Sequence, residues 1–590
     1  MMKMDITKEK IKSWLLQLCG ILAPLPWGGV GGGFCSCSDM LDTDSDLVMY
    51  ADKAHLNNAT DTIYSLTGIM NKMQAIADRT VILGEVRADL VDINEYASKD
   101  IRQVATFTID ADNSYNRPRD YYAIINNCNY YLAYADTALR NNRNEHVFEK
   151  EYAAVKAYRA WTYLQLALIY GQVPFVTEPL LDMKVDEAGY PVYNLQQVCQ
   201  YFISDLQPYA DVPLPGLGTI GSVDSKVTYF PVSVLLGELN LWAGNYREAA
   251  LCYYHYISTR NGTRTAWPLS PYYIQWTRDD GKYDIYSNSW TLNAFSQERF
   301  TSTGELVTMT PGDSIPSSAN YSALPNLFNT ATANDGYYQL TPSQALINLS
   351  ASQVYCNQTT TGDVGYAPSN LANNRAGDLR LSAAWHQYNY NYGGMLTTTA
   401  GRPTTQIVDK YSTPNVHLWR CATVYLHMAE ALNRAGLPAF AFSILSTGVN
   451  NNVVARMQHE YPADSVWLAQ FDFPNTEYVL RTESPTAFTT LGIHSRGSGF
   501  TEVNEYYPMP QGTLEQQVEA VEDLIVDEEA LELAFEGQRF YDLMRVALRR
   551  SDPAYLATRI QARRGPATSA GISANLLDTA TWYLPFATDK

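Results

Sequence analysis

The chain has 590 residues, enough for about four average domains or one large architecture, and its 46% hydrophobic content is ample for a sizeable core. Only 17% of residues are charged, which argues against a disordered or coiled-coil chain. Lys plus Arg number 42 against 61 Asp plus Glu, and the net charge of -19 excludes phosphate backbones and anionic membrane surfaces as partners attracted by charge alone.

Residues 1–36 read as an export signal rather than folded protein. Lys3, Lys8, Lys10 and Lys12 precede an apolar run from Trp14 to Leu25, followed by a Gly-rich stretch, Gly28 to Gly33. The run is too short and too interrupted by Pro24 and Pro26 to span a membrane. Cys37 follows the small Ser36, as lipidation at a bacterial lipoprotein signal requires; an ordinary cleaved secretion signal is the alternative. Residues 37–590 are then expected to form a single domain. Cys128, Cys199, Cys252, Cys356 and Cys421 are odd in number, widely spaced and free of C-x-x-C pairs, which fits buried thiols rather than a disulfide scaffold or a zinc site.

Apolar residues at helical spacing (Ile63, Leu66, Ile69, Met70, Met73, Ile76) predict a helix from Asp61 to Ala77. Asp110-Ala111-Asp112-Asn113-Ser114 opens like a calcium loop, but Tyr115 and Tyr121 stand where an EF-hand needs Gly and Glu. Further helices are predicted over 119–141, 146–170, 196–208 and 229–258. Within the last, Gly237, Gly244, Ala249 and Tyr253 have the spacing of a tetratricopeptide helix pair. Between 259 and 405 the sequence turns to Gly, Pro, Asn, Thr and aromatics, so loops and short strands are expected, with Asp280-Gly281 as a hairpin turn.

Trp267, Tyr272, Tyr273, Trp276, Tyr283, Tyr286 and Trp290 crowd this region, and the chain as a whole carries 43 Tyr and 11 Trp. Such rings stack on sugars or peptides, and Trp267, Tyr273, Trp276, Tyr283, Tyr286 and Trp290 are the candidate ligand-binding residues; the competing reading makes them core under the loops. Trp385 to Tyr392 alternates Tyr and Asn with period two, as on a strand. Helices return over 417–435, 438–446 and 516–549. Ala429, Gly436, Ala441 and Leu445 repeat the Gly237, Gly244, Ala249 and Tyr253 positions 192 residues on, so the helical hairpin is built twice. The fold class is therefore mostly α: a tetratricopeptide-like helical-hairpin superhelix over 61–258 and 417–549, with a loop-rich half over 259–405 carrying short β-hairpins.

Glu532, Glu536, Arg539, Asp542 and Arg545 set acids and bases at helical spacing. Paired carboxylates would suit glycoside hydrolysis, but Glu536 with Arg539 and Asp542 with Arg545 are each i,i+3 and can neutralise each other, so charge-paired packing is expected. The histidines show no H-E-x-x-H, and neither a phosphate-binding loop nor a G-x-S-x-G elbow is present. No catalytic, metal or cofactor site is predicted.

Several segments together resemble the SusD/RagB-like outer-membrane lipoproteins. They are Cys37-Ser38-Asp39-Met40-Leu41-Asp42, Ala157-Tyr158-Arg159-Ala160-Trp161 with Tyr170-Gly171-Gln172-Val173-Pro174, and Asp378-Leu379-Arg380. To these add Arg420 with Tyr425-Leu426 and Ala429-Glu430-Ala431, then Glu532-Leu533-Ala534-Phe535-Glu536-Gly537-Gln538-Arg539 with Asp542-Leu543 and Arg545, and finally Trp582-Tyr583-Leu584-Pro585. Glu529 departs from the family's usual Arg, and 484–517 looks like an insertion. The resemblance implies a non-enzymatic, palmitate-bearing lipoprotein anchored in the outer membrane. Its implied role is to bind oligosaccharide, or in some members peptide, and to cap a SusC-like TonB-dependent transporter. A secreted glycoside hydrolase is the rival from another class.

Overall fold

The computed structural model describes Leu56 and residues 61–586, apart from 182–188, 221–222, 260–275, 280–281, 286–304, 319, 329–337, 359–363, 367–376, 379, 382–384, 390–403, 412, 474–491, 501–504 and 566–569. Its helices, in chain order, begin with α1 (Asp61–Glu85), α2 (Lys99–Ala105), α3 (Pro118–Tyr134), α4 (Glu149–Tyr170), α5 (Leu195–Leu206), α6 (Val232–Ala243) and α7 (Tyr246–Ser258). Within the loop-rich stretch lies α8 (Gln344–Ser352), and after it come α9 (Cys421–Arg434), α10 (Pro438–Ser446), α11 (Asn451–Glu460), α12 (Leu514–Glu532), α13 (Arg539–Arg550) and α14 (Pro553–Gln561).

Helix α1 buries the predicted face, Leu66, Ile69, Met73 and Ile76, and runs two turns further through Val81 and Ile82. Helix α4 is buried at every position from Ala153 to Tyr170, so it lies inside the scaffold rather than on it. Gly171, at φ 76°, ends it.

The two helical hairpins stand as the sequence predicts. In α6–α7 a Cβ on Gly237 would come 2.5 Å from the Tyr253 ring, so only Gly lets these helices meet with a Tyr between them. Gly244 closes α6 in the left-handed conformation, at φ 81°. In α9–α10 the equivalent positions hold Ala429 and Leu445, both fully buried, so a larger residue on one helix coincides with a smaller one on the other. Helix α9 packs on α7 and α12 packs on α9, which joins the two hairpins through one core.

Three predicted elements are corrected. The helix placed at 417–435 begins only at Cys421, because Val416–Arg420 is a buried strand antiparallel to Leu306–Thr310. The helix placed at 119–141 ends at Tyr134. The single helix placed at 516–549 is two, α12 and α13. Between them the chain turns through Phe535 and Gly537 in positive φ, 72° and 88°.

Within the loop-rich half, strands Trp276–Asp279 and Lys282–Ile285 pair antiparallel and bracket Asp280-Gly281, as a two-residue hairpin turn requires. Trp385–Asn389 is likewise a strand, paired with Thr404–Val408. No described helix is long and apolar enough to cross a membrane.

Candidate functional site

The turn between α12 and α13 and the C-terminal end of α12 gather the acids that sequence spacing singles out. Glu532, fully buried, receives Arg420 at 2.8 Å, Arg380 at 2.9 Å and Arg496 at 3.0 Å. Arg420 and Arg496 also share Glu305, at 2.8 and 2.9 Å. Arg380 forks onto Asp378 through both Nε and Nη2, at 2.9 and 2.7 Å, so the D-x-R element is a buried bidentate pair. Glu536 holds Lys410 at 2.6 Å and Arg420 at 2.8 Å. Burial alone would raise the Glu532 carboxyl, but Arg496, Arg420 and Arg380 hold it well below the usual carboxylate range.

The expected i,i+3 pairing holds for Asp542 and Arg545, at 2.9 Å, and fails for Glu536 and Arg539. The turn separates those two, and Arg539 instead grips Asp89 at 2.7 Å, 450 residues away in sequence. A glycosidase acid must reach a scissile oxygen in a cleft. Glu532 and Glu536 are instead locked to guanidinium and ammonium groups inside the protein, with side chains 0% and 12% exposed. What this arrangement can do is fix the turn, and with it the contact between α1 and the C-terminal helices.

That contact is close. Glu85, at the end of α1, accepts the backbone N–H groups of Gly537 at 2.8 Å and Phe535 at 3.2 Å. Burial pushes its carboxyl up to about 7, against the pull of those two N–H donors. Arg87 donates to the Trp582 carbonyl at 2.8 Å and lies 4.0 Å over the Phe540 ring, so the W-Y-L-P stretch closes on the same place.

The opening of the calcium-like loop is satisfied within the protein. Asp110 takes Lys99 at 3.2 Å, Gln103 at 2.6 Å and the backbone N–H of Asp112 at 3.2 Å. A cavity of about 30 Å³ between Trp161, Gln165, Glu238, Trp242, Gln538 and Arg545 has room for a water or two and is far too small for a sugar. The described cysteines are all free thiols, with Cys128, Cys199, Cys356 and Cys421 buried and Cys252 half-buried.

Of the aromatics predicted to bind ligand, Trp276 and Tyr283 lie on the paired strands, where the backbone sets Trp276 opposite Ile285 and Tyr283 opposite Arg278. Trp267, Tyr273, Tyr286 and Trp290 lie outside the described residues, as does Cys37. Sequence spacing missed Glu305, Arg496 and Lys410 as partners of the signature acids. Only Glu305 and Arg496, 191 residues apart, carry no local pattern at all; Lys410 sits ten residues before Arg420 in an otherwise weakly charged stretch.

Residues 501–580 match the model of the SusD family. No curated protein matches the chain. Among solved structures the fold is similar to a SusD superfamily protein from Bacteroides vulgatus, at 15% identity and TM-score 0.55, over 90% of this chain and 96% of that one. It is similar to another from Bacteroides thetaiotaomicron, at 16% identity and TM-score 0.53, over 90% and 96%. A SusD-like carbohydrate binding protein from Bacteroides fragilis matches at 16% identity and TM-score 0.51, over 84% and 87%. At such identities the structures speak for the fold, which is that of SusD superfamily proteins, while the match at 501–580 speaks for the sequence signature around the α12–α13 turn.

Proposed function

We propose that the protein is a non-enzymatic surface lipoprotein that captures oligosaccharide and passes it to a SusC-like TonB-dependent transporter in the outer membrane. The observation that carries this reading is the SusD-type fold over nine-tenths of the chain, one of its structural neighbours being a carbohydrate binding protein. The rival hydrolase reading rested on the signature acids, and those are engaged in buried ion pairs. Peptide remains the second ligand class, because stacked rings serve an apolar peptide as well as a sugar face.

Binding is proposed to use the aromatic segment 267–290. The purified chain should bind glycans on an array, and Trp276→Ala and Trp290→Ala should each weaken the best ligand roughly twofold to tenfold, since a stacked ring contributes about 0.5–1.5 kcal/mol. The melting temperature should stay where it is. A large drop in melting temperature, or unchanged affinity in both variants, would place the ligand elsewhere.

Anchoring is proposed at Cys37, exposed as the new N-terminus by removal of residues 1–36. Metabolic labelling with a clickable fatty acid should mark the wild-type chain and leave Cys37→Ala unmarked, and that variant should fractionate with soluble protein. Equal labelling of both chains rejects the anchor.

A further inference from the structure

Beside the ion-paired turn lies a second buried cluster whose charges do not balance. Glu430 pairs with Arg434 at 2.7 Å and Arg545 at 2.5 Å, and Asp542 shares that Arg545 at 2.9 Å. Glu522 has Arg434, Arg549 and Arg550, all within 2.9 Å. Glu238 and Glu529, 6% and 2% exposed, have no Arg or Lys at ion-pair distance among the described residues. The group between them is His427, 1% exposed.

The polar atoms here converge. His427 Nδ1 lies 2.6 Å from Glu238 Oε1, which also accepts the Tyr253 hydroxyl at 2.7 Å. Its other nitrogen, Nε2, has no hydrogen-bond partner and faces Asp542 Oδ1 at 3.7 Å. Glu529 Oε1 is also buried without a partner. One ligand atom each from His427, Glu529 and Asp542 all fall within 4.8 Å of one another.

We propose that His427 Nε2, Glu529 and Asp542 hold one divalent transition-metal ion of the zinc class. An imidazole nitrogen with two carboxylates selects such an ion over calcium or magnesium, which prefer all-oxygen sites. Bonds of about 2.0–2.2 Å set donors roughly 3.5 Å apart, a small adjustment from the spacing seen. Nδ1–H donates to Glu238 Oε1, which leaves Nε2 as a lone-pair donor and orients the ring, as carboxylate–histidine–metal triads do. With a neutral imidazole, the two positive charges answer Glu238 and Glu529.

The site is independent of whatever the outer surface binds.

The test uses the full-length chain, produced with zinc in the medium, desalted, and measured by elemental analysis. About one equivalent of zinc should remain, Glu529→Gln should retain less than a tenth as much, and cobalt in place of zinc should give visible absorption that Glu529→Gln lacks. A folded wild-type chain without zinc overturns the proposal, as does equal retention by Glu529→Gln, which would mark adventitious surface binding. Should Glu529→Gln fail to fold, the wild-type cobalt spectrum decides: no visible band from a folded, cobalt-loaded chain overturns the site.

Discussion

Replacing Arg420 by Ala should lower the stability of the chain by about 3–5 kcal/mol, because it strands buried carboxylates rather than merely removing a contact. Arg420 is fully buried and reaches Glu305, Glu532 and Glu536 at once, and it also donates to the Glu532 carbonyl at 2.6 Å. Arg496 and Arg380 still face Glu532, but Glu305 would keep only Arg496, and Glu536 only Lys410, of the two cations each now shares. Arg420→Lys should recover only part of the loss, since an ammonium cannot present the guanidinium fork to several partners. Lys99→Ala is the control: its pair with Asp110 is 71% and 43% exposed, and its loss should cost no more than about 1 kcal/mol. Denaturant titrations of the three variants make the comparison. An Arg420→Ala chain as stable as Lys99→Ala would refute the network's role.

The second large effect is expected at Gly84. It sits inside α1, where a Cβ would overlap the backbone carbonyl of Gly537. Backbone cannot swing aside as a side-chain tip can, so Gly84→Ala should cost about 3 kcal/mol or more, the upper end for overpacking. Gly537→Ala adds the strain of a φ of 88° to contacts of 2.9 Å with the Thr80 carbonyl oxygen and Val81 Cα. Since both variants force the same two segments apart, the double variant should lose less than the two single losses together. Strict additivity in denaturant titrations would show that the segments do not meet as described.

These two sites show what the sequence carried and what it hid. Helices α1 and α7 were legible because each buries a face with helical period, and the Gly237 and Ala429 positions were legible because two hairpins repeat them. The strand at Val416–Arg420 was hidden because its apolar residues run straight into α9, and only its partner at Leu306–Thr310 makes it a strand. The break at Phe535–Gly537 was hidden because acids and bases keep helical spacing across it. Asp542 found its predicted partner one turn away, whereas Arg539 found Asp89 from the other end of the chain, a pairing that no local window contains. Helix α11 was missed although Asn450 caps it through the N–H groups of Asn452 and Val453, a signal that a run of asparagines disguises as a loop.

The bonds from Glu85 to Phe535 and Gly537, and from Arg87 to Trp582, tie the first described helix to residues made some 450 to 500 positions later. A ribosome adding roughly 5–20 residues each second needs tens of seconds to cover that interval. Through that time the end of α1 has neither the donors for its buried acid nor the carbonyl for its guanidinium. Native closure at the end of α1 must therefore wait until Phe535, Gly537 and Trp582 have been made. Removing the residues after Ser551 would keep the Phe535 and Gly537 donors for Glu85 but take away the Trp582 carbonyl that Arg87 uses.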